Sequence, residues 1–212
     1  VVDLGIDQEV CDGVTVTLDA QNVGMSYQWS NGATARTITL DASESVIVTV
    51  TDAQGCIGYD TINVIVHDLP EISVIATKDK LCYLDDVTSI ITSPNGGLLK
   101  GEGVVGDNFN HQGSGVKLNE ANYVRYDYTD SNGCSASDSV AVFVYLEPTV
   151  SQNFQDTTIC LGDDVVYSEL FDSRLNYVWS NPQLGEIQNS NQVLLSGSGQ
   201  YHLEVSDEHC ST

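Results

Sequence analysis

The strongest constraint on this chain is a threefold internal repeat that brings two cysteines into every unit. The segments DQEVCDGVTVTL (7–18), KDKLCYLDDVTS (78–89) and DTTICLGDDVVY (156–167) align with Cys11, Cys82 and Cys160 in register. A second block, VIVTVTDAQGC, VRYDYTDSNGC and YHLEVSDEHC, aligns Cys56, Cys134 and Cys210. Leading cysteines recur after 71 and 78 residues, trailing ones after 78 and 76. Self-similarity at such a period means one structural unit used several times. Prolines mark the joints: Pro70 and Pro148 each lie 14 residues after a trailing cysteine and 12 before a leading one. The division is therefore 1–69, 70–147 and 148–212. The joints HDLPEI and LEPTV are short and lack glycine-rich slack, so neighbouring units are expected to be stiffly coupled.

Six cysteines allow 15 pairings in principle. A uniform covalent framework in every unit selects Cys11–Cys56, Cys82–Cys134 and Cys160–Cys210, one bridge inside each repeat. Such a bridge, closing 45 to 52 residues, adds about 4 kcal/mol in the chain-entropy model. No C-x-x-C pair occurs, so the usual zinc spacings are missing. Even, well-spread cysteines suit an oxidising compartment.

Within each unit the apolar residues alternate: Val14, Val16, Leu18; Val46, Val48, Val50; Ile62, Val64, Val66; Val140, Val142, Val144; Tyr201, Leu203, Val205. Period two, with Gly, Asn and Asp clusters between the runs, reads as short strands, and no stretch has helical period. Many short strands in roughly 70 residues are the signature of a sandwich of the immunoglobulin type. Trp29 and Trp179 fall between the two cysteines of their units, where such a domain keeps its core tryptophan. The expected fold is all-β: three tandem Ig-like β-sandwich domains in an elongated array. GYDTINVIV (58–66) and ASDSVAVFV (136–144) follow the first two trailing cysteines, whereas the third unit has only two residues after Cys210. The third sandwich should lack its last strand. By the same offsets, a junction proline is expected ahead of Val1.

The 30 acidic against 7 basic residues, a formal net charge of −23, argue against nucleic acid and anionic lipid as partners. No run approaches the roughly 18 apolar residues of a membrane span. Gly101, Gly103 and Gly106 have a GxGxxG-like spacing without a strand-to-helix context, which removes a dinucleotide reading. His67, His111, His202 and His209 are scattered and read as surface or linker residues. No GxSxG, HExxH or P-loop motif is present, so no enzyme is expected.

YQWSNGATARTITLDASESVIVTVTDAQGCIGYDTINVIV (27–66) resembles the Ig-like/PKD-like repeats of giant bacterial surface proteins, the gliding-motility-associated adhesins exported by type IX secretion. GGLLKGEGVVGDNFN followed by VRYDYTDSNGCSASDSVAVFV resembles a second repeat subtype of the same proteins. The third unit departs from it, with DEHC in place of D-x-N-G-C. The resemblance implies export, extracellular display on a bacterial cell surface and duty as a stalk or adhesin, and it transfers no catalytic residue.

Two candidate sites follow from residue chemistry. Carboxylates near the joints offer hard oxygen ligands for interdomain calcium: Asp79, Asp85 and Asp86 at the first, Asp156, Asp163 and Asp164 at the second, with Asp52 and Asp60 as a further pair. The loop Asn108, Phe109, Asn110 and His111 places polar groups beside an aromatic ring, as a surface glycan would require. The simpler reading keeps Phe109 in the core. Expected partners are adjacent domains of the same array and like subunits. Three functions are open at this point: a disulfide-stapled stalk, a filament assembled by strand exchange, and an accessory module of a secreted hydrolase.

Overall fold

The computed structural model describes residues 1–160 and 162–212. Among them all regular structure is β, in 19 strands. The chain divides into two compact units, residues 1–73 with 93–98 and 126–138, and residues 74–92 with 99–125 and 139–212.

The first repeat contains β1 (Gln8–Cys11), β2 (Val16–Asp19), β3 (Ser26–Trp29), β4 (Thr37–Leu40), β5 (Glu44–Thr51) and β6 (Ile57–His67). One sheet runs β1-β6-β5-β3 and the facing pair is β2-β4. β1 lies parallel to β6, while β5 is antiparallel to both β6 and β3. Third, penultimate and last strands in one sheet, opposed by the second and fourth, form the immunoglobulin arrangement. Strand periodicity sorts the side chains. Val46, Val48 and Val50 are at most 2% exposed, whereas Ile47 between them is 44% exposed. They pack with Leu18, Leu40, Ile62 and Trp29 in one core. The Trp29 indole Nε1 donates to the carbonyl of Ala35 at 2.8 Å, so the ring is buried with its polar atom satisfied.

The second repeat contains β7 (Ser73–Ala76), β8 (Lys80–Cys82), β9 (Thr88–Ser93), β10 (Leu98–Lys100), β11 (Val104–Val105), β12 (Asn108–Phe109), β13 (Ala121–Thr129) and β14 (Ser135–Tyr145). Its sheets run β10-β13-β14-β8 and β11-β12-β9-β7, with β8 parallel to β14. Lacking a tryptophan, it buries the rings of Phe109 and Tyr126 instead. The Tyr126 hydroxyl accepts the Gly97 N–H at 2.8 Å and donates to the Pro94 carbonyl. A Cβ at residue 97 would lie 2.5 Å from that ring, so only glycine fits.

The third repeat contains β15 (Val165–Ser168), β16 (Asn176–Asn181), β17 (Gly185–Gln188), β18 (Gln192–Leu195) and β19 (His202–Ser206). Its sheets are β15-β18 and β17-β16-β19. The chain turns at Asp207–Cys210, and Thr212 exchanges two backbone hydrogen bonds with Val205, at 2.8 and 2.9 Å. No strand occurs between 146 and 164 among the described residues. In the other two repeats the leading strand pairs with the last one.

The cysteine pairing departs from expectation. Cys11 bonds to Cys134 and Cys82 to Cys210, while Cys56 and Cys160 carry free, exposed thiols. None of the three expected bridges forms. Register explains why. Cys11 stands opposite His67 at the far end of β6, and Cys56 immediately precedes the near end. The whole 11-residue strand lies between them, about 36 Å at ~3.3 Å per residue. A disulfide needs its Cα atoms about 6 Å apart. The second repeat has the same geometry, with Cys82 opposite Tyr145 and Cys134 just before β14, also 11 residues long.

Candidate functional site: the cysteine poles

Each complete sandwich thus has two cysteine poles, one at either end of its last strand. At the trailing pole an aspartate builds the turn. The Asp52 carboxylate accepts the N–H groups of Gln54 and Cys56 at 2.9 and 2.8 Å. Asp130 accepts those of Asn132 and Cys134 at 2.9 and 2.8 Å, and Asp207 those of His209 and Cys210, both at 2.7 Å. Aspartate favours this role because its short carboxylate reaches backbone two residues ahead. The N–H of Cys210, then that of His209, hold the Asp207 carboxyl below the usual carboxylate range. At the leading pole the cysteine carbonyl closes a turn, accepting the N–H of Val14, Asp85 and Asp163 at 3.1, 3.0 and 3.0 Å in the three repeats.

Where the poles are joined they are also packed. Cys134 and Cys210 are 0% and 4% exposed. Beside the Cys82–Cys210 bridge the His209 ring stacks on Tyr145, with centroids 3.8 Å apart. Lys78 pairs with Asp85 at 2.5 Å, and the same carboxylate accepts the Cys82 N–H at 2.7 Å. The Lys78 contact, then the Cys82 N–H, keep the Asp85 carboxyl below its ordinary value.

The six calcium candidates do not converge. Asp85 is engaged by Lys78, while Asp79, Asp86, Asp156, Asp163 and Asp164 are exposed. Among the described residues no three His, Cys, Asp or Glu side chains form a metal-binding group. The polar loop of the second repeat is not an open ligand platform either. Phe109 is fully buried, and the Asn108 side chain accepts the Ser89 hydroxyl at 3.0 Å. His111 is 2% exposed, which corrects its reading as a surface residue. Its Nε2 lies 2.9 Å from the Tyr83 carbonyl, and Nδ1 is buried without a partner. His67 meets Glu9 at 2.9 Å, and His202 is exposed on β19.

Beside the unextended β19 the third repeat has a cavity of about 900 Å³, lined by Phe154, Cys160, Tyr167, Trp179, Tyr201 and Leu203 among others. Trp179 is still 3% exposed, its Nε1 donating to the Ser190 carbonyl at 3.1 Å.

No family model and no curated protein sequence matches this chain. Among solved structures, it is similar to the insect immune protein hemolin at 12% identity, over 98% of this chain and 72% of that one, with a TM-score of 0.32. Sidekick-1 immunoglobulin domains 1–4 align at 9% identity over 100% and 73%, with a TM-score of 0.31. The chain spans 55% of the Sidekick-1 structure of domains 1–5, at 10% identity over 98% of this chain and a TM-score of 0.26. At such scores the superpositions add nothing to the fold assignment, which stands on strand order and register.

Proposed function

We propose that this chain is a non-catalytic segment of an extracellular surface protein, in which Ig-like repeats are laced covalently into a load-bearing stalk. The observation that carries the reading is the connectivity: both bridges run from a leading cysteine to the trailing cysteine of the next repeat. A short proline joint alone leaves one pivot between neighbours. A second, covalent attachment restrains that pivot, as a stalk presenting a distant tip requires. Persistent disulfides belong to oxidising compartments, which supports extracellular placement. The repeat strings in 27–66 and 96–144 support a bacterial cell-surface protein of the type IX-secreted, gliding-associated class. The division at 69 and 147 belongs to this proposal.

Force along the chain tests it. With both bridges intact, the shortest covalent path passes from Cys11 to Cys134, back to Cys82 and on to Cys210. Only about 65 residues of that path extend, roughly 220 Å, against roughly 720 Å for the reduced chain. Single-molecule pulling should show this threefold gain in unfolded length on adding reductant. Equal lengths before and after would remove the reading. A second reading, a filament built by strand exchange, draws on the cavity beside β19 in the third repeat. It predicts concentration-dependent polymers that persist in reductant and vanish when residues 1–7 are deleted.

A further inference from the structure

The two free thiols are not equivalent leftovers. Cys56 is a trailing cysteine and Cys160 a leading one, and the two bridges present both obey one rule: leading cysteine to trailing cysteine of the following repeat. The spans they close are nearly equal, 123 and 128 residues. Cys56 is also presented like the trailing cysteines already bonded. Its N–H donates to Asp52 at 2.8 Å, as those of Cys134 and Cys210 donate to Asp130 and Asp207 at 2.8 and 2.7 Å. The Cys160 carbonyl accepts the Asp163 N–H at 3.0 Å, as that of Cys82 accepts the Asp85 N–H at 3.0 Å. What differs is cover. Cys134 and Cys210 are buried, whereas Cys56 is exposed beside Ile57 and Tyr59, 69% and 75% exposed. Apolar surface of that kind next to a bonding position is what a mating pole would bury.

We infer that Cys56 and Cys160 are complementary half-sites of the same joint. Cys160 takes the trailing cysteine of a following repeat of this kind, and Cys56 the leading cysteine of a preceding one. A second copy joined head to tail, Cys160 of one to Cys56 of the next, meets both requirements. The inference rests on the disulfide rule and the pole geometry, and stands apart from the load-bearing role. With glutathione disulfide as oxidant the chemistry balances. The Cys160 thiolate attacks it and releases one glutathione. The Cys56 thiolate of the second copy then attacks the Cys160 sulfur of the mixed disulfide and displaces the other. Two protein thiols become one disulfide, and one small disulfide becomes two thiols that carry off the two protons.

The test is oxidation of the purified chain in a glutathione buffer, followed by non-reducing electrophoresis and mass spectrometry of cross-linked peptides. We expect a ladder of oligomers with Cys56–Cys160 as the dominant linkage. C56S and C160S should each stay monomeric, and mixing them should restore a dimer at least tenfold above either variant alone. Equal dimer from C56S or C160S alone, a bridge between the two thiols of one copy, or no heterodimer on mixing would overturn the inference. In the native polypeptide, peptide mapping after thiol blocking separates the two sources of partner. A bridge within one polypeptide leaves its mass unchanged on reduction, and a bridge between copies lowers it. Both thiols free in that material would also overturn it.

Discussion

The first and third repeats begin from the same plan and end with different cores. Both place a tryptophan on the third strand, Trp29 on β3 and Trp179 on β16, and both oppose it with a two-stranded pair, β2-β4 or β15-β18. In the first repeat β6 completes the sheet and β1 pairs along it from Gln8 to Cys11. Twelve buried residues then join in one cluster. In the third, β19 pairs with a short return to Thr212, and among the described residues the leading segment forms no strand and one cluster joins Trp179, Val193 and Leu195. In the first two repeats the leading strand is laid parallel on the last one.

The largest effect that can break this comparison is truncation of the two tryptophans. Trp29→Ala should cost about 3–5 kcal/mol, the range for deleting a large ring from a packed core. Trp179→Ala should cost roughly half as much, because the ring already borders a cavity and fewer neighbours lose contact. Each variant keeps the other tryptophan as its fluorescent reporter. Urea unfolding, read with hydrogen exchange at Val46–Val50 and at His202–Val205, assigns each loss to its repeat. Equal costs would mean that the third core is closed in solution.

A smaller effect sharpens the contrast between leading segments. β1 is held by backbone hydrogen bonds to β6, which do not titrate. The start of the third leading segment is instead held by Glu169, 5% exposed. It accepts the Ser151 N–H at 2.8 Å, the Ser151 hydroxyl and the Gln152 N–H at 3.1 Å. Burial pushes this carboxyl up, but the Ser151, Gln152 and Leu170 donors outweigh it, and the net displacement is downward. A carboxyl depressed on folding contributes stability above its unfolded value, about 4.3, and loses it as pH falls through the folded value. Acidification below about pH 4 should therefore release the Ser151 and Gln152 amides while Asp12, whose N–H donates to the His67 carbonyl at 2.8 Å, stays protected, as followed by NMR. Glu169→Gln should produce the same release at neutral pH, costing about 1–3 kcal/mol locally. Protection of Ser151 that is indifferent to both changes would contradict the role.

Strand alternation and the two core tryptophans were legible because they depend on local pattern: period two and residue type. The cysteine partners were not. Alignment establishes that Cys56, Cys134 and Cys210 are equivalent, but not which repeat supplies the partner, and pairing with the next repeat is as uniform a rule as pairing within one. The deciding quantity is three-dimensional: an 11-residue strand separates the two poles once the leading strand lies parallel to its far end. Likewise, acidic residues near the joints looked like ligands by composition, yet Asp85 is paired with Lys78, and among the described residues no three His, Cys, Asp or Glu side chains gather into a metal-binding group.

The smallest effect concerns one ion pair in each of the two repeats. Asp19 and Arg36 pair at 2.7 Å across β2 and the approach to β4, 17 residues apart. Asp172 and Arg174 pair at 2.6 Å within a single turn, where Asp172 also accepts the Arg174 N–H at 2.9 Å. The Arg174 side chain, then its N–H, bring the Asp172 carboxyl down to about 2. Because the second pair is local, its geometry demands little of the fold, and exposed pairs contribute little to stability. Arg174→Ala should therefore raise the Asp172 carboxyl towards its ordinary value, about 3.9, in a carbon-detected NMR titration, without moving the unfolding midpoint at neutral pH. Arg36→Ala removes a contact between strands and should loosen the exchange of Ala20, whose N–H donates to the Arg36 carbonyl at 3.0 Å. If the two substitutions prove interchangeable, the closed first sandwich draws no more on its surface contacts than the open third one does.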